Sequence, residues 1–239
     1  MRRALVTGGS GDIGSAIARN LARTGIHVHV HANSRLERTE AVAADIRAAG
    51  GSADALAFDI ADPVATQAAM TGLTADQPVQ IVVHCAGIHL DGPLAGMSDD
   101  RWHRVINVSL HGFFHVTRPL LLPMLRTRWG RIVALSSTAG QMGNRGQANY
   151  AAAKAGLHGA VLSLAKEVAT RGVTANVIAP GLIASTMTED LFDPARVQQL
   201  VPMGRMGRPD EVAAVATFLA SDAASYVSGQ IIGVNGAMV

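Results

Sequence analysis

Three residues of this chain have the types and spacing to do chemistry together. Tyr150 and Lys154 stand four apart in Asn149-Tyr150-Ala151-Ala152-Ala153-Lys154, and Ser137 lies thirteen residues before the tyrosine. On a helix, positions i and i+4 share a face, so the phenol and the ammonium would lie side by side. A neighbouring cation stabilises phenolate and draws the tyrosine pKa down from its usual value of about 10. Such a phenol can protonate a carbonyl oxygen as hydride reaches the carbonyl carbon, and the Ser137 hydroxyl could hold the same oxygen. Tyr and Lys at this spacing also occur on ordinary helix surfaces, so the pair gains meaning from the elements around it.

Those elements alternate. Strand-like runs fall at 4–7, 27–31, 53–59, 80–85, 130–136, 173–178 and 231–234, and helical patterns near 13–24, 36–49, 64–73, 99–125, 150–171 and 209–220. The alternation predicts parallel βαβ units, and the continuous apolar strands predict a sheet covered on both faces. The expected fold is α/β, one doubly wound parallel sheet of the Rossmann type with about seven strands, in a single domain over 1–239. The irregular stretch 179–206 holds Pro180, Gly181, Pro194 and Pro202. Its length predicts a lid over a substrate cleft at 182–206, with short helices inside it.

Composition excludes several functions. Of 239 residues 49% are hydrophobic, and the formal net charge is only +2 with no basic run, so no nucleic-acid footprint is present. Cys85 is the only cysteine, which rules out an intrachain disulfide and fits a reducing cytoplasm. No secretory signal is read at the start of the chain. The most apolar stretch, 113–125, is broken by His115, Arg118, Pro119 and Pro123 and is too short to span a membrane. The expectation is a cytoplasmic protein without a membrane partner.

The first strand runs into Thr7-Gly8-Gly9-Ser10-Gly11-Asp12-Ile13-Gly14, and a helix follows. Glycines there allow a tight turn and close approach of backbone to a pyrophosphate, which the helix N-terminus attracts. Gly8, Ser10, Gly11, Asp12, Ile13 and Gly14 are therefore candidate cofactor residues. An NAD site usually places an acid near the end of the second strand. Here the sequence is His31-Ala32-Asn33-Ser34-Arg35, with no carboxylate. Asn33, Ser34 and Arg35 could hold a 2′-phosphate, which favours NADP(H); Arg35 could equally be a solvated residue at a helix start. Asp59, followed by Ile60, could reach an adenine or cap the end of the third strand. No metal-ligand set is read. His84-Cys85 is better explained by a small buried thiol than by metal binding or catalysis.

The glycine loop, Ser137, Tyr150-x-x-x-Lys154 and Pro180-Gly181, in this order along nearly the whole chain, resemble the classical short-chain dehydrogenase/reductase family. Within it the segments 143–156, 176–181 and 204–212 are most similar to bacterial 3-oxoacyl-(acyl-carrier-protein) reductases. The glycine loop and the segment 31–38 also resemble reductases found with aryl-polyene pigment synthesis in Gram-negative bacteria. The resemblance implies NADPH-dependent reduction of a 3-oxoacyl thioester to the (3R)-hydroxyacyl form, in fatty-acid or polyene-type synthesis. It implies that Tyr150 is the general acid, that Lys154 binds the nicotinamide ribose, that Ser137 orients the carbonyl, and that Asn107 holds a water behind the lysine. It places Pro180, Gly181 and Ile183 beside the nicotinamide, and Ala86 and Gly87 beside the adenosine ribose.

Further implications concern partners. Arg128 and Arg171 match positions used for docking an acidic carrier protein, although arginines at helix ends often only solvate them. Arg126 is a further basic residue on that rim. Gln141, Met142, Gln147 and Met187 are candidates for the acyl pocket. The helix carrying Trp102, Phe113 and Phe114 and the Tyr150/Lys154 helix are expected to pack in a homotetramer. Three departures stand out. Asp12 replaces the middle glycine, with Gly11 one place earlier; His84-Cys85 replaces Asn-Asn; and the arginine often found inside the loop is absent. Asp12 could repel a pyrophosphate or cap the helix and point away. Alternative readings are a dehydrogenase or reductase of a free small ketone such as a sugar or steroid, and a non-catalytic cofactor-binding regulator.

Overall fold

The computed structural model describes residues 1–185 and 193–239. Seven strands form one sheet in the order β3-β2-β1-β4-β5-β6-β7, and every pairing is parallel. They are β1 Arg3–Thr7, β2 His27–Ala32, β3 Ser52–Ala57, β4 Ile81–His84, β5 Gly130–Leu135, β6 Val173–Pro180 and β7 Ile231–Val234. The chain steps outward from β1 to β3 and returns to the other side of β1 as β4. The order therefore reverses between β1 and β4, and a crevice opens there above the strand C-termini.

Side-chain alternation along the strands feeds two cores. Ala4, Val6, Val28, Val30, Ile81, Val83, Val133, Leu135 and Ile178 face one side. They pack on α1 (Asp12–Arg23), α2 (Leu36–Ala48) and α9 (Pro209–Leu219). Leu5, Val82, Ile132, Ala134, Ala175 and Val177 face the other, beneath α3 (Pro63–Leu73), α5 (Gly112–Thr127) and α7 (Ala148–Val168). Fully buried side chains such as Leu21, Ile81 and Leu219 each contribute roughly 1.5–3 kcal/mol of apolar burial.

Most strand and helix ends fall within a few residues of the expected ones, and the larger differences are instructive. The single long helix expected at 99–125 is α4 (Asp99–Ile106), a π-helical segment Asn107–His111, and then α5. A five-residue turn leaves no mark on a 3.6-residue periodicity, and such turns cluster at functional sites. β6 runs on to Pro180 because β7 pairs with it there. Two short helices carry no periodic signal: α6 (Ala139–Met142), and α8 (Pro194–Leu200), one of those foreseen inside 182–206.

Candidate active site

The turn after β1 is built by steric exclusion. Gly8 has φ +65, and a Cβ there would stand 2.9 Å from Ala86 Cα. A Cβ on Gly14 would stand 2.2 Å from the Gly8 carbonyl oxygen, and one on Gly9 would meet Val30 at 2.7 Å. Gly9 was not among the sequence candidates; its constraint comes from β2, which sequence spacing cannot show. Gly11 differs, since a Cβ there would touch only the Gly8 oxygen at 3.5 Å, an ordinary contact. Gly11 is the N-cap of α1 and makes no side-chain cap, and Asp12 is the first helical residue. Asp12 thus opens the helix rather than standing at the N-cap, and a carboxylate in a first helical turn is favoured by the helix dipole. Ile13 packs against the α1-side core.

Beside this turn lies a cleft of about 410 Å³. Its lining gathers Gly8, Ser10, Asn33, Ser34, Arg35, Asp59, Ile60, Ala86, Gly87 and Asn107 from five separate stretches of sequence. It adds His31 and Arg104, which the sequence reading missed. Arg104 sits one turn before Asn107 on α4, so helical spacing from Asn107 was the signal that could have found it. Its only ion pair among the described residues is a loose one with Asp100 at 3.9 Å. Asp59 lines the cleft and also accepts from Ala61 N at 2.9 Å, a local bond in the turn after β3.

His84 explains one departure. His84 Nε2–H donates to the Ser109 carbonyl at 3.0 Å, so Nδ1 of the neutral ring accepts from Thr7 Oγ1, which itself accepts from Ala86 N, each at 3.2 Å. This imidazole joins β1, β4 and the π-helical segment beneath the cleft. Burial pushes its pKa down to about 3, so it stays neutral. Burial pushes the Cys85 thiol up to about 11, which removes thiolate chemistry at neutral pH.

The catalytic candidates meet where β5 faces the start of α7. Ser137 follows β5, and its Oγ accepts from Ala139 N at 3.1 Å. Lys154 is 3% exposed, donates from Nζ to the Leu135 carbonyl at 2.7 Å, and stands 5.6 Å from the centre of the Tyr150 ring. A Cβ on Gly87 would lie 3.1 Å from that Nζ, so the amine borders the cofactor cleft. Tyr150 is hydrogen-bonded to Ser137. Its pKa is raised by burial, against the lowering effect of Ser137, whereas the sequence reading expected the lysine to lower it. Lys154 stands over the ring with its amine donated to the Leu135 carbonyl. Its own pKa falls to about 8 through burial.

Asn149 is a positioning residue the sequence reading passed over. It is fully buried at the start of α7, donates to the Leu90 and Arg101 carbonyls at 3.1 and 3.3 Å, and accepts from Tyr150 N at 2.8 Å. It ties the loop after β4 and α4 to the turn that presents Tyr150.

The remaining predicted residues scatter. Pro180 ends β6 and accepts from Thr138 N at 2.9 Å, which links it to the Ser137 turn. Gly181 must be glycine because a Cβ would meet Asn235 at 2.8 Å. Ile183 is buried and bridges Gly207. Gln147 is held by Asp91 and Asn144 at 2.8 and 2.9 Å, while Gln141 and Met142 lie exposed on α6. Met187 lies outside the described residues. Phe113 is buried in the core, and Phe114 is 52% exposed.

Arg128, in the left-handed C-cap of α5, donates to the Thr170 carbonyl at 3.1 Å. It and Arg171 flank the N-terminal edge of the sheet. Tyr150 and Arg171 occupy opposite ends of a 21-residue helix and its 3₁₀ extension, roughly 30 Å apart, so one chain does not bring them together.

Residues 9–238 match the protein family described as Enoyl-(Acyl carrier protein) reductase. The chain is 42% identical to a 3-oxoacyl-(acyl-carrier-protein) reductase of Aggregatibacter actinomycetemcomitans, over 98% of each protein. It is 44% identical to the reductase of that name from Synechocystis, over 99% of this chain and 96% of the relative. It is 43% identical to Nodulation protein G of a Rhizobium species, again over 99% and 96%.

Proposed function

The chain belongs to the short-chain dehydrogenase/reductase family, and we propose on that premise that it is an NADPH-dependent oxidoreductase reducing a 3-oxoacyl thioester on an acyl carrier protein to the 3-hydroxyacyl form. The observation that carries this reading is the meeting of Ser137, Tyr150 and Lys154 at the border of a glycine-built cleft. The cleft suits a dinucleotide: backbone replaces side chains beside a helix N-terminus, and Arg35 and Arg104 stand on its lining. Gly8, Ser10, Asn33, Ser34, Arg35, Asp59, Ile60, Ala86 and Gly87 would hold it. The nicotinamide, when bound, supplies hydride.

The chain's own residues manage the oxygen. Ser137 Oγ–H donates to the substrate carbonyl and polarises it. Tyr150 gives its phenolic proton to that oxygen as negative charge develops there, which turns C=O into CH–OH. A phenol raised by burial stays protonated at neutral pH, as an acid must. Lys154, next to Gly87, would hold a ribose hydroxyl, and Asn107, at the π-helical turn lining the cleft, would hold a water that returns the proton.

The relatives named as acyl-carrier-protein reductases support the carrier-bound substrate. Arg128 and Arg171 would dock the acidic carrier. Their distance from Tyr150 means that a carrier seated there would serve a neighbouring chain, which fits a homotetramer. No helix among the described residues is long and apolar enough to cross a membrane, and a cytoplasmic location suits the reaction. That same distance also favours a second reading, reduction of a free small ketone by a chain that needs no docking surface.

The test is cofactor consumption with a 3-oxoacyl carrier-protein substrate, run with NADPH and NADH in parallel. Turnover with NADPH and little with NADH is expected. Reversing the charge of Arg128 and Arg171 should slow the carrier-bound substrate far more than a soluble thioester analogue. Equal slowing of both, or turnover of free ketones alone, would favour the second reading.

A further inference from the structure

At the N-terminal edge of the sheet, opposite the cleft, β2 opens with His27-Val28-His29. Strand alternation puts both imidazoles on one face, while Val28 is buried on the other. The edge strand β3 presents Asp54 in register with His29. The carboxylate meets both rings: Oδ2 is 3.2 Å from His27 Nε2, and Oδ1 is 2.6 Å from His29 Nδ1. One ligand atom from each residue lies within 4.8 Å of the other two. Ser52 Oγ engages His27 Nδ1 at 2.7 Å, which turns Nε2 toward Asp54. The side chains are 23% (His27), 1% (His29) and 49% (Asp54) exposed, so the cluster is closed toward the sheet and open at the strand edge.

We propose that His27, His29 and Asp54 form a binding site for a divalent transition-metal ion of the zinc class. Two imidazole nitrogens and one carboxylate suit Zn²⁺, Co²⁺ or Ni²⁺, whereas Mg²⁺ and Ca²⁺ require oxygen ligands. Metal–ligand bonds of about 2.0–2.2 Å place tetrahedral ligand atoms somewhat over 3 Å apart, so the 2.6 Å contact must open by about 1 Å and the widest pair, within 4.8 Å, must close by no more than about 1.5 Å. Asp54, half exposed, has room to swing, and the fourth position faces solvent.

Outer contacts set the expected strength. His27 has Ser52 behind it. His29 Nε2 is buried without a hydrogen-bond partner among the described residues, and it must carry the hydrogen when Nδ1 binds metal. A missing outer partner weakens metal affinity by about 10–100-fold, which points to micromolar rather than nanomolar binding. The ion would clamp the edge strand to β2, so it should stabilise the fold and leave turnover unchanged.

The test is titration of chelator-stripped protein with Zn²⁺, and separately with Co²⁺, followed by calorimetry, visible absorption and thermal unfolding. One ion per chain is expected, with a Tm rise of about 5–10 °C at a hundredfold excess over Kd. The Co²⁺ spectrum should lack the intense thiolate band that binding at Cys85 would give. His27→Asn and Asp54→Asn should each weaken binding at least tenfold, with folding checked by circular dichroism. Ser52→Ala, which keeps every ligand, should weaken it less. A His111→Asn/His115→Asn double variant, which removes another close histidine pair, should bind as the parent does. Absence of saturable binding below about 1 mM, or unchanged affinity in both His27→Asn and Asp54→Asn, overturns the proposal.

Discussion

The cofactor cradle and the catalytic group lie side by side at one edge of the sheet but are made from opposite materials. The cradle is backbone: Gly8, Gly9 and Gly14 matter because atoms are missing there. The proposed catalytic group is side chain: Ser137, Tyr150 and Lys154 would act through the atoms they carry, and Asn149 and the Leu135 carbonyl hold them in place. Damage should therefore run in opposite directions, by addition in the cradle and by removal in the catalytic group.

The largest effect tests the cradle. Gly14→Ala puts a methyl 2.2 Å from the Gly8 oxygen, backbone that cannot yield cheaply. We expect loss of cofactor binding or of folded protein, a penalty above about 4 kcal/mol. Gly11→Ala, with its 3.5 Å contact, should bind cofactor within a fewfold of the parent in the same fluorescence titration. Similar behaviour of the two variants would break the comparison.

Removal from the catalytic group comes next. Tyr150→Phe deletes one oxygen and should lower kcat by about 10²–10⁴ while cofactor affinity and Tm stay near parental values. Near-normal turnover would remove Tyr150 from its role as acid.

A smaller effect concerns pH and the histidines beneath the cradle. His31 and His84 are neutral in the fold, with pKa values near 4 and 3 set mainly by burial, against an unfolded value of about 6.5. Between those values the unfolded chain binds more protons, so stability falls as pH drops from about 6.5 toward 3. Urea midpoints at pH 7 and pH 4.5 should show that loss, and His31→Asn should reduce it. A flat profile would mean that these side chains reach water in the native state.

The smallest effect sharpens cofactor choice at the rim of the cradle, where side chains return. Arg35→Ala should raise the KM for NADPH about tenfold and leave that for NADH nearly unchanged, with Arg104→Ala doing less. Equal changes for both cofactors would assign Arg35 to solvent alone.

Much of this was legible in the chain, for local reasons. Parallel strands buried on both faces read as apolar runs, so all seven were found with their order in sequence. The Tyr150/Lys154 spacing and the glycine turn are short-range patterns that one helix and one turn satisfy by themselves. Boundaries failed where a neighbour decided them, as at Pro180, which β7 draws into β6. The long helix broken at Asn107 failed because a π-helical turn keeps the same residue types while changing their pitch.

The sequence alone determined the fold class, the glycine turn and the Tyr150/Lys154 spacing, since each rests on propensity or on spacing within one element. Only the tertiary structure decided that Gly9 is excluded from bearing a side chain by Val30, that Arg104 joins Arg35 at the cleft, and that Arg128 and Arg171 stand a helix length from Tyr150. Only the pairing of β2 with β3 put Asp54 against His27 and His29. In each case the deciding contact joins residues distant in sequence, and its geometry is set by sheet register and helix packing rather than by any local preference of the chain.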